Sequence, residues 1–357
     1  MNVSAPENTG GTLERIGREE GLALLTDPDL PRLAALAQQA RYALHPEPVV
    51  TYIIDTNPNY TNICTVGCRF CAFYRDKASA EAYTLSPQAV GAKAVAAAEA
   101  GADTMLLQGG VNPDLPLDYF TALVREVRRA APSVNPHFFS PPEIHALARR
   151  SELTVRQVLD RLYEAGQRTI PGGGAEVLSE RVRQKVSPEK CTPDQWLDVM
   201  RQAHLAGFRS TATMMFGHLE TDEEIIEHVH RLRQLQDETG GFTAFIPWSC
   251  KPGNTDLQSV IPRASASLRY LRILAVARLY LDNVPHIQAS WFSEGKGTGQ
   301  LALHFGADDF GGVLLEENVH RSADYVNTAN ENEVRTLISE AGFRPRRRDT
   351  LYRPVAS

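Results

Sequence analysis

The sequence predicts an α/β fold: a closed or partly closed, TIM-like (β/α) barrel with a short helical cap before it and an extension after it. Three observations lead to this prediction. Short β-rich runs alternate with longer helical patterns in one unbroken series, which is typical of a parallel sheet with right-handed crossovers. The chain has 357 residues, 43% of them hydrophobic, which suits one large barrel. Several helical patterns also begin after Ser or Thr and end at Gly, as helices commonly do.

The chain divides into three predicted segments. Residues 1–48 have apolar positions spaced as in short amphipathic helices and are predicted to form the N-terminal cap. Residues 49–290 form the predicted barrel core, and residues 291–357, which are less regular, form a C-terminal closure. Strands of the core are expected at 49–55, 103–108, 134–139, 167–171, 210–216 and 242–248, with another beginning at His286. Helices are expected at 86–102, 117–131, 154–166, 192–207, 221–241 and 266–283.

Composition and charge exclude several classes of protein. Lys and Arg total 37 against 43 Asp and Glu, and the formal net charge of -6 argues against a protein that binds nucleic acid or acidic lipid over its whole surface. No apolar run approaches the roughly 20 residues that span a bilayer, and the first residues have no secretory hydrophobic core. We therefore expect a cytoplasmic protein with neither a membrane nor a nucleic acid as partner.

Three of the five cysteines lie close together, and this is the strongest chemical signal. Cys64, Cys68 and Cys71 have the spacing C-x-x-x-C-x-x-C directly after the first predicted strand. A structural zinc site needs four ligands, and neither Cys191 nor Cys250 lies in a second C-x-x-C pair, so zinc fits poorly. A 4Fe-4S cluster fits better, because three irons take thiolates and the fourth stays open. A zinc site or a purely structural cluster remains an alternative.

The motif, with Phe70 just before the last cysteine, resembles that of the radical S-adenosylmethionine superfamily. The resemblance implies a barrel of the radical SAM type and a 4Fe-4S cluster on Cys64, Cys68 and Cys71. It also implies that S-adenosylmethionine binds at the open iron, where one electron cleaves it to a 5′-deoxyadenosyl radical that abstracts hydrogen. Phe70 is then a candidate cofactor contact. A low-potential electron donor such as flavodoxin or ferredoxin is the implied partner.

Further candidates for cofactor contacts follow later strands, at the rim where barrel active sites are built. Gln108, Gly109 and Gly110 resemble the superfamily's glycine-rich motif, whose backbone receives the amino group of adenosylmethionine. Glu220 ends a segment that resembles the superfamily's G-x-x-E motif near the adenine. The candidates for the ribose or the methionine carboxylate are Ser140, Glu143, Glu176 and Arg183. Each of these residues could instead have a purely structural role, in a turn, a helix cap, an ion pair or a contact with a helix dipole.

The sequence of residues 50–320 resembles one branch of the superfamily. This branch contains menaquinone-pathway radical enzymes and the deazaflavin FO synthase. The strings NYTNIC, CRFCAFYR, FSPPEI, IPGGGAEVL, DETGGFTAFIPW and EEN carry this resemblance. Within the branch the chain looks most like the cyclic dehypoxanthinyl futalosine synthases of the futalosine route to menaquinone. Aminofutalosine synthase, which adds the adenosyl radical to its substrate, and an enzyme like FO synthase are the enzymatic alternatives. An iron–sulfur sensor or scaffold is the non-enzymatic one.

The resemblance implies a reaction with definite parts. The radical takes the ribose C4′ hydrogen of dehypoxanthine futalosine, the carbon radical adds to the carboxylated aromatic ring, and loss of one electron and one proton completes a spiro bicycle. The last step needs a base, and a base with a pKa near neutrality is favoured. The candidate bases are His218, Glu176, Asp308 and Glu316. Asp308 also departs from the family pattern, because FGADDFGG stands where that pattern reads FGANDFG.

The substrate implied by the resemblance is a nucleoside derivative that carries a benzoate. Such a substrate must be held close to the radical and away from water, because the cofactor supplies the reactivity and the protein supplies the positioning. Aromatic and polar residues on the later strands are candidate walls of its pocket: Trp248, Gln288, Ser290 and Trp291. No single arginine is selected by the sequence as the partner of the benzoate.

Overall fold

The computed structural model describes residues 15–261 and 265–355, and within them a parallel sheet curves into a barrel. Its strands are β1 (Val49–Asn57), β2 (Thr104–Leu107), β3 (Asn135–Phe138), β4 (Thr169–Ile170), β5 (Arg209–Phe216), β6 (Phe242–Ser249), β7 (His286–Ile287), β8 (Asp309–Glu317) and β9 (Arg344–Arg347). The strand order is β7-β6-β5-β4-β3-β2-β1-β8, and β9 pairs with β1. The predicted barrel is therefore confirmed.

The helices lie outside the sheet and connect its strands. They are α1 (Arg18–Thr26), α2 (Leu30–Leu44), α3 (Pro87–Glu99), α4 (Leu117–Ala130), α5 (Pro141–Arg150), α6 (Val155–Glu164), α7 (Glu180–Val186), α8 (Pro193–Leu205), α9 (Asp222–Thr239), α10 (Ser267–Tyr280), α11 (Trp291–Glu294), α12 (Lys296–Ala302), α13 (Val319–Ser322) and α14 (Glu331–Glu340). Capping boxes at Thr154, Thr192 and Thr221 begin α6, α8 and α9, as the sequence signals predict.

The N-terminal part of the chain packs on the outside of the barrel. Helices α1 and α2 contact α9 and α10, and Leu25, Leu33 and Ala37 are buried there. The first 14 residues of the predicted cap lie outside the described residues. Within the range that is described, no helix is long and apolar enough to cross a membrane.

The barrel closes between β7 and β8. The backbone N–H of Asp308 donates to the carbonyl of Ile287 at 3.1 Å, and the N–H of Ala289 donates to the carbonyl of Asp309 at 2.7 Å. Strand β8 thus belongs to the barrel although the sequence analysis ended the core at residue 290. An added Cβ at Gly311 would lie 2.6 Å from Gln288 Nε2, and one at Gly312 would lie 2.2 Å from Asp55 Oδ1. The glycines therefore serve close packing inside a strand.

The C-terminal segment closes the end of the barrel at which the strands begin. After β9, which runs parallel to the first half of β1, Arg348 donates to both carboxylate oxygens of Asp309, at 2.6 and 2.9 Å. The Tyr352 ring stacks on that of His286 with centroids 3.9 Å apart. Arg348 and Asp309 are both almost fully buried, so their charges depend on each other for compensation.

We predict that replacing Arg348 with Met lowers the free energy of unfolding by about 3–5 kcal/mol, because the carboxylate of Asp309 is left buried without its main counter-charge. Arg353→Met is the matched control: Arg353 pairs with Asp349 at the surface with 73% of its side chain exposed, so a loss below about 1 kcal/mol is expected. Chemical denaturation of both variants beside the wild type measures the difference. Equal losses would contradict the assigned role of the Arg348–Asp309 pair.

Candidate active site

A cavity of about 300 Å³ occupies the inside of the barrel. Residues that alternate along the strands line it, as expected when every second side chain points inward. Sequence-predicted site residues in this wall are Gln108, Glu176, Trp248, Gln288, Ser290 and Trp291. The structure therefore brings together all four candidate substrate contacts and two of the candidate cofactor contacts.

The cysteine loop follows β1 at the opposite end of the barrel from Arg348. Cys64, Cys68 and Cys71 are free thiols, and the backbone N–H of Val111 donates to Cys64 Sγ at 3.3 Å. Burial raises the pKa of Cys68 to about 12, so its thiolate needs the compensating charge of bound metal. Three soft thiol donors on one loop fit a cluster with one open iron.

A buried ionic group links the cysteine loop to the cavity. Glu176 lines the cavity and forms an ion pair with Lys190, whose ammonium lies 5.0 Å from the ring centroid of Phe70. Arg183 Nη1 is 3.7 Å from Glu176 Oε2. Burial by itself raises the pKa of Glu176, but the charges of Lys190 and Arg183 hold this pKa below its ordinary value. Glu176 is therefore an ionised carboxylate and a poor proton acceptor at neutral pH.

Three polar atoms of this ionic group make no hydrogen bond within the described residues. Glu176 Oε2, Arg183 Nε and Arg183 Nη1 are buried and have no hydrogen-bond partner among the described residues. Arg183 Nη2 donates to the carbonyls of Gly174 and Ala175, which fixes the guanidinium. Glu176 itself has a φ of 46°, a left-handed conformation that non-glycine residues adopt only under local constraint. This arrangement can bind a ligand that carries hydroxyls and a carboxylate.

The glycine-rich segment contacts the cysteine loop directly. An added Cβ at Gly110 would lie 2.1 Å from the carbonyl oxygen of Ile63, so only glycine permits this approach. The N–H of Gly110 donates to Thr61, and that of Gly109 donates to Glu143. Because both N–H groups are used inside the protein, a contact with the amino group of adenosylmethionine would use carbonyl oxygens.

Ser140 and Glu143, two of the predicted cofactor contacts, are not among the residues that line the cavity. They form the capping box of α5, in which the N–H of Ser140 donates to Glu143 Oε2 at 2.7 Å. The other oxygen of Glu143 accepts from the Tyr60 hydroxyl at 2.7 Å and from Gly109. The carboxylate therefore holds the glycine-rich segment in place, and the alternative interpretation of these residues as a helix cap is correct.

Glu220 and His218 are likewise occupied by protein groups. Glu220 accepts from the backbone N–H groups of Gly217 and His218, at 2.6 and 2.9 Å, so it shapes the turn after β5. His218 Nε2 is 2.9 Å from the carbonyl of Met215, while its Nδ1 accepts from the N–H of Leu219 at 2.7 Å. With both ring nitrogens occupied and the side chain fully buried, His218 is not available as a base.

Asp308 and Glu316 also lie outside the cavity, so the structure does not support them as bases. Asp308 is buried between Arg278, His286 and His45, and the Arg278 charge and these histidines hold its pKa below its ordinary value despite burial, which raises it. Glu316 forms an ion pair with Lys93 at 2.9 Å and lines a separate cavity of about 470 Å³. The neighbouring Glu317 is the carboxylate of β8 that lines the barrel cavity.

Several residues of the cavity wall were not found from the sequence: Asp55, His137, Arg348, Glu317 and His320. Asp55 had a signal, since it is the one charged residue in the apolar run VVTYIID. Glu317 accepts from the backbone N–H groups of Val319 and His320 at the start of α13. Its oxygens are thereby occupied, and the His320 ring packs among Trp248 and Phe292.

Two family models match the chain. The model described as the radical SAM superfamily matches residues 58–232, and the model described as the CofH/MqnC C-terminal region matches residues 239–356. A solved structure of methylornithine synthase shares the fold, with a TM-score of 0.71 at 18% identity over 93% of this chain and 94% of that one.

Three similar proteins span nearly the whole chain. Cyclic dehypoxanthine futalosine synthase of Halalkalibacterium halodurans is 41% identical, over 95% of this chain and 91% of that protein. A 5-amino-6-(D-ribitylamino)uracil–L-tyrosine 4-hydroxyphenyl transferase of Methanopyrus kandleri is 38% identical, over 95% and 94%. Aminodeoxyfutalosine synthase of Thermus thermophilus is 38% identical, over 96% and 93%.

We predict that replacing Cys64, Cys68 or Cys71 with Ala abolishes incorporation of iron and sulfide, because two thiolates cannot hold the cluster. Cys191→Ala and Cys250→Ala are matched controls, since both residues are buried free thiols outside the loop. Iron and sulfide content after anaerobic reconstitution is the measurement. A full cluster in any of the three loop variants would show that a ligand lies elsewhere.

Gly110→Ala is expected to weaken cluster retention, because the new methyl group meets the Ile63 carbonyl and displaces the cysteine loop. Gly297→Ala is the control, since an added Cβ there meets no atom within 4 Å. Reconstituted iron content and the rate of iron loss to a chelator are compared between the two variants. Indistinguishable rates would refute the close contact.

Proposed function

This chain belongs to the radical SAM family that contains the cyclic dehypoxanthine futalosine synthases, and on that premise we propose that it cyclises dehypoxanthine futalosine in the futalosine route to menaquinone. The observation that carries the proposal is 41% identity to one such synthase over 95% of the chain. The two matching family models, at residues 58–232 and 239–356, include the cysteine loop and the C-terminal segment that closes the barrel.

The family uses a 4Fe-4S cluster and S-adenosylmethionine, which when bound supply a 5′-deoxyadenosyl radical that removes one hydrogen atom. We propose Cys64, Cys68 and Cys71 as the cluster ligands. Glu176 and Arg183 are proposed to bind the ribose hydroxyls and the methionine carboxylate, because their unpartnered atoms are a carboxylate oxygen and guanidinium nitrogens. Phe70, Gln108 and the glycine-rich carbonyls complete this proposed set.

The remaining cavity wall is proposed to hold the substrate. Trp248 and Trp291 provide apolar faces for the aromatic ring, and Gln288 and Ser290 provide polar groups. The Trp291 Nε1 atom is buried and makes no hydrogen bond within the described chain, so a substrate oxygen would complete its bonding. Enclosure by the barrel excludes water from the radical, which protects it from side reactions.

The proposed source of electrons is a low-potential carrier such as flavodoxin or ferredoxin. Reduction of the cluster requires an external one-electron donor, because the protein itself supplies none. The thiol loop ends near exposed residues, among them Tyr74 and Lys77, where a carrier can approach.

A second candidate function is adenosyl transfer of the aminodeoxyfutalosine synthase type, favoured by 38% identity over 96% of the chain. In that reaction the adenosyl moiety ends in the product and free 5′-deoxyadenosine is not released. The transferase of Methanopyrus kandleri, whose name specifies a ribitylaminouracil and tyrosine as substrates, is equally similar in identity. Two observations distinguish these three candidate reactions: which substrate is consumed, and whether the adenosyl group ends in the product.

We predict that the reconstituted protein, incubated anaerobically with adenosylmethionine, a strong reductant and dehypoxanthine futalosine, releases 5′-deoxyadenosine and a product lighter than the substrate by two hydrogens. Mass spectrometry of the products is the measurement. A Cys68→Ala preparation is the control for chemistry that does not depend on the cluster. An adenosylated product from the precursor of aminodeoxyfutalosine, with dehypoxanthine futalosine untouched, would instead assign the second candidate function.

A further inference from the structure

The proposed cyclisation needs a proton acceptor, and the structure leaves none of the four sequence candidates free for this role. His218 has both ring nitrogens occupied, and Glu176 is held ionised by two cations. Asp308 and Glu316 lie outside the cavity. The acceptor must therefore be sought among other groups that line the inside of the barrel.

Asp55 is a half-buried residue of the cavity wall, and the bonding of its carboxyl is incomplete. It lies on β1, two residues before the end of the strand, on the inner side. Its Oδ1 atom is buried and finds no hydrogen-bond partner in the part of the chain that the structure describes. Gly312 on β8 provides the space for the carboxyl, because an added Cβ there would lie 2.2 Å from Oδ1. A buried polar group in this state requires a partner from a bound ligand.

The charges around Asp55 suit a group that gains and loses a proton. Burial raises the pKa of Asp55 to about 7, while Arg348 lowers it and Asp309 and Asp103 raise it. Arg348 also makes two bonds to Asp309, and its charge offsets only part of the effect of burial on the pKa of Asp55. Asp103 is in turn bonded to Arg347 through both carboxylate oxygens, at 2.9 Å.

We propose that Asp55 accepts the proton that the aromatic ring of the substrate loses when the cyclised product forms. The inference rests on the proposed function. Removal of the ribose C4′ hydrogen leaves a carbon radical, which forms a carbon–carbon bond to a ring carbon that still bears its hydrogen. That ring C–H bond then breaks: the electron passes to a one-electron acceptor, the class to which the oxidised iron–sulfur cluster belongs, and the proton passes to the Asp55 carboxylate. The substrate has then lost two hydrogens in total.

Other titratable groups of the cavity are less suited to this step. Burial, with a further contribution from Arg348, lowers the pKa of His137 to about 3, so this imidazole does not hold a proton at neutral pH. Its Nδ1 atom is buried and makes no bond within the described residues, which leaves it free to orient a substrate hydroxyl. The two nitrogens of His320 face Ser293 Oγ at 3.4 Å and Glu317 Oε1 at 3.6 Å. Asp55 alone combines an unpartnered oxygen with a pKa near neutrality.

The test compares wild type with Asp55→Asn, which keeps the shape of the side chain and removes its basicity. Glu316→Gln is the matched control, because Glu316 is a carboxylate outside the barrel cavity. Cluster content and circular dichroism check that each holoenzyme is intact. The measurements are 5′-deoxyadenosine, cyclised product and, by calorimetry, the affinity for dehypoxanthine futalosine.

We expect Asp55→Asn to bind substrate and to release substrate-dependent 5′-deoxyadenosine, while the amount of cyclised product per 5′-deoxyadenosine falls by about a hundredfold. Glu316→Gln should keep the wild-type ratio. An unchanged ratio in Asp55→Asn overturns the proposal. A parallel fall of both products with weakened substrate binding also overturns it, because Asp55 would then only bind the substrate.

A pH profile of the wild type provides an independent measurement if Asp55→Asn does not fold. The carboxylate form accepts the proton, so the ratio of cyclised product to 5′-deoxyadenosine should rise as pH increases through about 7. A ratio that stays flat from about one unit below this pKa to about one unit above it overturns the proposal. Wild-type enzyme that releases 5′-deoxyadenosine from the assay without any cyclised product shows instead that the proposed function is wrong, and the role of Asp55 falls with it.

Discussion

The bidentate ion pair between Arg348 and Asp309 is the interaction on which the rest of the structure depends. It joins the segment after β9 to the first residue of β8, and Thr51 of β1 also donates to Asp309 at 2.7 Å. Three separate parts of the chain thus meet at one carboxylate. This pair lies at the end of the barrel where the strands begin, opposite the end that carries the cysteine loop. Two buried charges that neutralise each other also leave the neighbouring Asp55 without a strong counter-charge.

The acidic groups at the two ends of the cavity have different charged surroundings. Near the cysteine loop, Glu176 is surrounded by Lys190 and Arg183 and stays ionised, as a group that binds a cationic and hydroxylated cosubstrate should. Deeper in the barrel, Asp55 has no such partners and its pKa lies near 7. Environments that separate the pKa values of two carboxyls also separate their functions. Binding and proton transfer can therefore take place at different depths of one cavity.

The position of Glu316 outside the barrel cavity comes from details of β8. Alternation from Gly312 and Leu314 would place Glu316 on the inner side, but the register with β1 shifts between Asp55 and Asn57, where Leu314 and Glu317 are the respective partners. One additional residue in β8 exchanges the faces of the residues after it, so Glu317 lines the cavity and Glu316 does not. A second shift near Thr51 has a similar consequence at the beginning of the strand. Irregularities of this kind leave no mark in a hydrophobic pattern.

The sequence by itself determined the barrel, the strands from β1 to β7, the loop of three thiols that we propose as cluster ligands, and the branch of the superfamily. These features depend on local information: periodic hydrophobicity, helix caps, and three thiols within eight residues that must lie on one loop. The tertiary structure alone decided which carboxylates face the cavity and which are occupied. Glu143 and Glu220 bond to backbone groups, Asp308 bonds to Arg278, and Asp55 Oδ1 has no hydrogen-bond partner among residues 15–261 and 265–355. The physical reason is that a side chain is free to contact a ligand only when no distant segment supplies it with a partner. The C-terminal residues that neutralise Asp309 are such a segment. No local sequence pattern encodes these partners.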